Sequence, residues 1–396
     1  MIPLAEALQT IDEQLSGIRL PATTVATQDA YNRVLAVNQT SRLDLPPFNK
    51  SAMDGYAVMG DERDTYTLVE TVAAGDTPQT TLSPGEAVAV MTGAAVPEGA
   101  EKIILVEHTE RDSDTIHVHR HPSRSNICIR GEDTAAGDVI LPAGTRLSPH
   151  DIANLISCGV TEVEVVRKPR IAIICTGEEI VDDPEKLQPG KIMNANGPSL
   201  RSLSEANGLE VVTDVSVGDE REVIADAIKQ ALTQADIVVL SGGVSMGEFD
   251  FVIEAMEDSG LTVHFTRVAV KPGKPMTFAS GGQKAVFGLP GNPVSVYLTF
   301  HLHVLRAARL MSGAQPDLRQ LSVPLACKFT RKKGGRRGYI PGRIDHQMRL
   351  WPVEYHGSAH LLALSDADGF FSIPEGVTEL PAGERVDFLP LLMRLP

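Results

Sequence analysis

The sequence predicts a multidomain protein that joins an α/β domain to separate β units. Three observations predict it. The chain has 396 residues, too many for one small module and enough for two or three cores. Between Arg170 and Met311 apolar strand-like runs alternate with amphipathic helical segments, as in a parallel sheet with crossover helices. On either side of that stretch, short alternating segments are divided by Gly- and Pro-rich turns, the texture of all-β units.

In chain order, Leu4, Leu8, Ile11 and Leu15 recur at helical spacing, which predicts an amphipathic helix over residues 3–16. A second helix-like segment is expected from about Thr23 to Val37, ended by Leu43-Asp44-Leu45-Pro46-Pro47, where the double proline favours an extended chain. Strands are predicted at Thr67–Thr71, Glu86–Met91, Lys102–Glu107 and Thr115–His119. In the α/β stretch the expected strands are Ile171–Cys175, Glu210–Val217, Ile237–Leu240 and Ala285–Phe287. The expected helices are Ser199–Asn207, Glu220–Gln234, with Val223, Ile224, Ala227, Ile228 and Ala231 on one face, and a long Pro293–Met311. Gly313-Ala314-Gln315-Pro316 reads as a linker to a β unit over Leu321–Pro396.

Composition narrows the function. Lys plus Arg is 36 against 51 Asp plus Glu, a net charge of −15, so the surface as a whole repels nucleic acid and anionic lipid. An anionic ligand then needs a local cation cluster or a metal. Cys128, Cys158, Cys175 and Cys327 show no close pairing and read as reduced thiols. Glu6, Asp12 and Glu13 stand where a signal peptide needs basic and apolar residues, and no stretch approaches the ~20 apolar residues of a membrane span. A cytoplasmic location is the expectation.

Four loops follow strands of the α/β stretch: Thr176-Gly177-Glu178-Glu179, Gly218-Asp219, Ser241-Gly242-Gly243-Val244-Ser245-Met246-Gly247-Glu248-Phe249-Asp250, and Gly288-Leu289-Pro290-Gly291-Asn292-Pro293, which opens the long helix. In a parallel sheet all four emerge on one edge, where glycines let backbone approach an anion and a helix start offers free N–H groups. Each Gly-Gly pair also suits a plain tight turn. Glu179, Asp219 and Asp250 lie in these loops. Helix capping accounts for single carboxylates, but three converging beside anion-binding loops suit Mg2+, whose ligands are carboxylates, phosphate oxygens and water. Lys271-Pro272-Gly273-Lys274-Pro275 is either a solvated turn or a stiffened oxyanion pocket. Upstream, Asn49-Lys50-Ser51-Ala52-Met53-Asp54-Gly55-Tyr56-Ala57 reads as one polar loop, with Met91-Thr92-Gly93 and Arg130-Gly131-Glu132-Asp133 as further turns. Arg331-Lys332-Lys333-Gly334-Gly335-Arg336-Arg337 is a basic island.

The motifs at Asn49–Ala57, Arg130–Asp133, Ser241–Ser245, Lys271–Pro275 and Gly288–Pro293, in this order, resemble the molybdopterin molybdenumtransferase family, which includes the E domains of gephyrin and its plant counterpart. The resemblance covers essentially the whole chain. It implies an N-terminal helix packed on the α/β domain (1–22), a small connecting α+β part (23–43 and 138–169) and a β-rich insert (44–137). A molybdopterin-binding α/β domain with a parallel-rich sheet (170–316) and a C-terminal β barrel (317–396) follow. The implied activity inserts molybdenum from molybdate into adenylylated molybdopterin, with Mg2+, releasing AMP. The alternatives are the preceding adenylyltransferase and a non-catalytic gephyrin-like scaffold. The resemblance assigns catalysis to Asp54, Glu179, Asp219 and Asp250, with metal at Asp219, Asp250 and Glu179. It assigns substrate binding to Thr92, Asp133, Thr176, Gly177, Gly242, Gly243, Ser245, Pro290, Gly291 and Asn292, and molybdate to Lys271, Lys274, Pro275, Ser295, Arg336 and Ser358. It also implies a homodimer whose insert residues Asp54, Thr92 and Asp133 line the partner's cleft, and contacts with the adenylyltransferase and downstream molybdoenzyme factors. Five departures stand out: Glu178 where many members have Asp, Gly338 and Pro341 where members commonly have an acidic residue and an Arg, Ala363 in place of a serine, and Asp368 in place of Asn. The four in the C-terminal unit predict a smaller share of the anion site from that unit.

Overall fold

A computed structural model describes residues 1–242, 249–317 and 320–391. The chain divides into two compact units, one of Met1–Thr23, Asn32–Ala36 and Val165–Pro396, the other of Thr24–Tyr31 and Val37–Glu164.

The first unit is built on a six-stranded sheet in the order Glu210–Val217, Arg170–Thr176, Ile237–Ser241, Lys284–Leu289, Pro275–Gly281, Thr262–Arg267. The first four strands are parallel and the last two antiparallel. Its central strands are apolar at every position because both faces are covered. Ile171, Ile173, Cys175, Ile237 and Val239 pack with Ala7, Ile11 and Leu15 of the N-terminal helix Leu4–Leu15 and with residues 294–311. Ala172, Ile174, Val238 and Leu240 point the other way, onto Ile224, Ile228 and Ala231 of helix Arg221–Gln234 and Val252, Ala255 and Met256 of helix Phe249–Asp258. Val223, expected on that buried face, is exposed. The N-terminal helix is also tied by charge: the Arg306 guanidinium forks onto both Asp12 carboxylate oxygens at 2.6 and 2.5 Å.

Two elements differ from expectation here. The segments Thr262–Arg267 and Pro275–Gly281, for which no strand is expected, join the sheet by antiparallel pairing, Pro275–Gly281 in a hairpin with Lys284–Leu289 that turns through Gly282 and Gln283, both at positive φ as a two-residue turn requires. The helix beginning at Pro293 is not uniform: α-helix Pro293–Thr299 passes through a π-helical Phe300–Val304 before Leu305–Met311. In the same unit a C-terminal β sheet runs in the order Val270–Lys271, Arg337–Ile344, Gly369–Ile373, Arg385–Pro390, Leu321–Pro324, with Leu350–Pro352 also on Arg337–Ile344. Its core includes Leu350, Phe371, Ile373 and Phe388.

The second unit centres on a six-stranded sheet in the order Lys102–Leu105, Gly55–Val58, Glu86–Val90, Thr65–Val72, Thr115–Val118, Thr109–Asp112. Gly55-Tyr56-Ala57, read as loop, belongs to a central strand. A Cβ on Gly55 would lie 2.1 Å from the Ile104 carbonyl oxygen, so only glycine lets these two backbones meet. The helix expected from Thr23 to Val37 does not form: Ala22–Ala26 and Val34–Leu35 are strands around a 3-10 turn at Thr27–Asp29. The β-branched run Thr23-Thr24-Val25 prefers that outcome. Helix Pro149–Ser157 starts with a capping box, Ser148 Oγ accepting from the Asp151 N–H and the Asp151 carboxylate accepting from the Ser148 N–H.

Candidate active site

Parallel register fixes where the four loops leave the first unit's sheet. Thr176 lies opposite Val217, Cys175 opposite Ser241, and Ser241 opposite Leu289, so all four loops start from one edge. At the crowded centre of that edge stands Gly242, with φ +97° and its virtual Cβ only 2.0 Å from the Thr176 carbonyl oxygen. Asn196, which the sequence reading did not single out, ties two of the loops: its side-chain amide donates to Ser241 Oγ (3.0 Å) and to the Gly291 carbonyl (2.7 Å). Its neighbour Asn194 donates to Asp182 (2.9 Å) and Ser216 (3.1 Å) and accepts from the Gly197 N–H. The turn-like run Asn194-Ala195-Asn196-Gly197 was the available signal. The buried Cys175 thiol, just below this edge, is pushed up to about 12 by burial and stays protonated.

These loops open into a cavity of about 1000 Å³ within the first unit. Glu179 and Asp219 line it. One Asp219 carboxylate oxygen accepts from the Glu178 N–H at 2.9 Å, while the other is buried with no hydrogen-bond partner among the described residues. Among those residues no group of three or more His, Cys, Asp or Glu comes together as a ready metal site. Gly243 and Ser245 lie outside the described residues. So does the side chain of Asp250, whose backbone begins helix Phe249–Asp258.

The wall of the same cavity carries the cations Lys271, Lys274, Arg331 and Arg336. Lys271 reaches this wall because Val270–Lys271 pairs in parallel with Arg337 and Gly338. Arg336 donates to the Val270 carbonyl at 2.9 Å. Gly177, Gly242, Pro275, Pro290, Gly291, Asn292, Ser295 and Ser358 also line the cavity. Thr176 is buried behind the lining, its hydroxyl without a partner among the described residues. The helix start after Asn292 is less open than expected: the Val294 N–H is taken by the Ser358 carbonyl at 3.0 Å. The C-terminal sheet thus supplies part of the lining, including Arg331 of the basic island, and Tyr339 and Tyr355, which were not singled out. Burial pushes the Tyr355 phenol up to about 12, so it is a neutral group at physiological pH.

Asp54, Thr92 and Asp133 belong to the second unit. One Asp54 oxygen accepts from both the Thr92 N–H (2.6 Å) and the Thr92 hydroxyl (2.8 Å), which holds the carboxyl below its ordinary range. Asp133 is exposed, in a turn whose Arg130 N–H donates to Asn49 (2.8 Å) and whose Arg130 side chain donates to Asp44 (2.6 Å). The fold therefore joins Asp54 to Thr92 directly and stitches Asp133's turn to the segment preceding Asp54.

Comparison with known proteins agrees across the chain. Residues 2–159 match the MoeA N-terminal region (domain I and II), 172–310 a probable molybdopterin binding domain, and 322–391 the MoeA C-terminal region (domain IV). A molybdopterin molybdenumtransferase of Staphylococcus aureus is 34% identical over 401 residues, spanning 98% of this chain and 95% of that protein. One from Staphylococcus epidermidis is 30% identical over 400 residues, with the same coverage of 98% and 95%. The crystal structure of the molybdopterin biosynthesis MoeA protein from Pyrococcus horikoshii OT3 superposes with a TM-score of 0.84 at 30% identity, covering 99% of this chain and 100% of that one. With three successive regions matched and two relatives aligned nearly end to end, the chain belongs to the molybdopterin molybdenumtransferase (MoeA) family and is a transferase of molybdenum cofactor biosynthesis.

Proposed function

We propose that the cavity of the first unit takes adenylylated molybdopterin and molybdate, and that the enzyme transfers molybdenum to the dithiolene as the pyrophosphate is cleaved and AMP leaves. The observation that carries this reading is that charges of both signs line one cavity, Glu179 and Asp219 together with Lys271, Lys274, Arg331 and Arg336. A pyrophosphate with a magnesium ion suits the carboxylates and a tetrahedral dianion the cations. Lys271 and Lys274, with Arg336, Ser295 and Ser358, hold molybdate. The glycine loops at Gly177, Gly242 and Gly291 let backbone approach the nucleotide phosphates.

Mg2+ fits the residues present. Asp219 offers a buried carboxylate oxygen with no hydrogen-bond partner among the described residues and Glu179 a second carboxylate, and magnesium commonly takes one or two carboxylates with the rest from phosphate and water. Asp250 is proposed as a further ligand. Bound there, the ion neutralises charge on the pyrophosphate oxygens and the departing phosphate. We further propose a cytoplasmic homodimer in which Asp54, Thr92 and Asp133 of one subunit serve the cavity of the other. The free state of all four cysteines accords with a reducing compartment, and no described helix is long and apolar enough to cross a membrane.

The test is turnover. Purified protein with adenylylated molybdopterin and Mg2+ is expected to release AMP only when molybdate is added, and Asp219→Asn to slow that release at least ~10-fold, the scale of losing charge stabilisation at a reacting phosphate. Accumulation of adenylylated molybdopterin from molybdopterin and MgATP would instead mark an adenylyltransferase. No turnover of either kind would leave the scaffold reading.

A further inference from the structure

Arg331 is held in this cavity by three hydrogen bonds and is not neutralised by any carboxylate among the described residues. Its Nε donates to the Val377 carbonyl (2.7 Å), Nη1 to the Arg336 carbonyl (3.0 Å) and Nη2 to the Pro374 carbonyl (2.7 Å). A guanidinium has five N–H donors, so two remain, one on each terminal nitrogen. Among the described residues no carboxylate pairs with it, although it is partly buried and burial pulls its pKa down from the ordinary value. A guanidinium still keeps its charge. Three neutral acceptors thus fix a positive charge in a cavity wall without cancelling it.

The ground beside it is also cleared. Nη1 lies 2.5 Å from the position a Cβ would take on Gly338, so any side chain there would displace the guanidinium. Gly338 lines the cavity and is the register partner of Lys271 on the adjacent parallel strand. Lys271 likewise has no carboxylate partner among the described residues. The arrangement is a residue without a side chain whose Cβ space is taken by a fixed guanidinium and whose partner on the adjacent strand is a lysine.

We infer that Arg331 is a ligand for a tetrahedral oxyanion in this cavity, acting together with Lys271, the strand partner of Gly338. The inference rests on the proposed function and deepens it by adding an anion-holding residue. The oxyanion has two sources with the same chemistry, free molybdate and the phosphate of the nucleotide.

The experiment is calorimetric titration of the full-length protein with sodium molybdate and, separately, with AMP. Wild type, Arg331→Ala, Gly338→Ala, the double variant and Lys274→Ala are compared, and folding is checked by circular dichroism. Arg331→Ala is expected to raise the Kd for one of the two anions about 10-fold or more, equivalent to about 1.4 kcal/mol. Because Arg331→Ala also removes three structural hydrogen bonds, Gly338→Ala supplies the independent arm. It keeps the arginine but crowds Nη1, and is expected to weaken the same anion at least threefold, with the double variant no worse than Arg331→Ala alone. The anion affected identifies the source. Kd values within twofold of wild type for both anions in Gly338→Ala and Arg331→Ala, with Lys274→Ala still weakening molybdate, would overturn the role of Arg331 and leave the proposed function standing. A wild-type protein that binds neither anion would overturn both.

Discussion

Replacing Gly242 by Ala tests whether the loop edge is built as tightly as its geometry indicates. The added Cβ would sit 2.0 Å from the Thr176 carbonyl oxygen, a distance that forces one of two strand-end backbones to move by more than an ångström. The residue also holds φ at +97°, which costs a side-chain-bearing residue about 1–3 kcal/mol. Overpacking against backbone adds roughly 1–3 kcal/mol. The sum, about 2–6 kcal/mol, corresponds to a fall in Tm of roughly 5–15 °C for a unit of this size. Gly218 is the control: it ends a neighbouring strand on the same edge, yet a Cβ there meets nothing within 4 Å. Scanning calorimetry of the two variants should therefore separate them, with Gly218→Ala near wild type. AMP release should drop in Gly242→Ala because Thr176 and the loop move together. A Gly242→Ala protein that melts within about 1 °C of wild type and turns over normally would refute the reasoning.

Three further outcomes follow from the same geometry. Lys274→Ala should raise the molybdate concentration needed for half-maximal AMP release by about 10-fold or more, since a charge-assisted contact contributes roughly 1.5–3 kcal/mol; an unchanged requirement would move the anion elsewhere. Mixing inactive Asp54→Ala and Asp219→Ala chains should restore partial activity in verified heterodimers, where one cavity carries neither change, and no recovery would place both residues in service of one subunit's site. In Asp236, burial pushes the carboxyl up, but the Arg167 fork (2.6 and 2.7 Å) and the Arg170 N–H (2.8 Å) more than offset it and hold the pKa below the ordinary value. Its stabilisation is therefore full above about pH 4 and lost as pH falls through the folded pKa, so denaturant melts of Asp236→Asn should show a deficit of about 3–5 kcal/mol at pH 7 that shrinks at acid pH.

Much of the first unit was legible because its signals are local. Glu210–Val217 appears as expected, since a run bounded by Gly208 and Gly218 carries its own stops. The buried strands Arg170–Thr176 and Ile237–Ser241 read as unbroken apolar runs because helices cover both faces. What failed to show depends on contacts distant in sequence. Nothing near Gly55 announces a strand, because its partner backbone at Ile104 lies some fifty residues on and decides the matter by proximity. Asn196 matters through Ser241 and Gly291, 45 and 95 residues away. The π-helical segment at Phe300–Val304 has no proline or glycine to mark it. Lys284–Leu289 appears where a strand at Ala285–Phe287 is expected, whereas its hairpin partner Pro275–Gly281 follows directly on the proline-rich Lys271–Pro275 run, which reads as loop.

The departures in the C-terminal unit show how the anion site and the fold share residues. Each sits in a structural role here. Asp368 accepts the Ile344 N–H at 2.7 Å, Ala363 is buried, and Pro341 lies in the middle of strand Arg337–Ile344 opposite Phe370, its carbonyl accepting from Val353 at 3.0 Å. A cation at position 341 is absent, yet this unit still presents Arg331 and Arg336 to the cavity. The two arginines are coupled through backbone: Arg331 donates to the Arg336 carbonyl, and Arg336 donates to the carbonyl of Val270, the residue before Lys271. That chain of bonds runs from the C-terminal sheet to the lysine loop, so the positions of three of the four cations are set by one another. A change at any one of them then alters the spacing of the others, and the loss of anion affinity in double variants should fall short of the sum of the single losses.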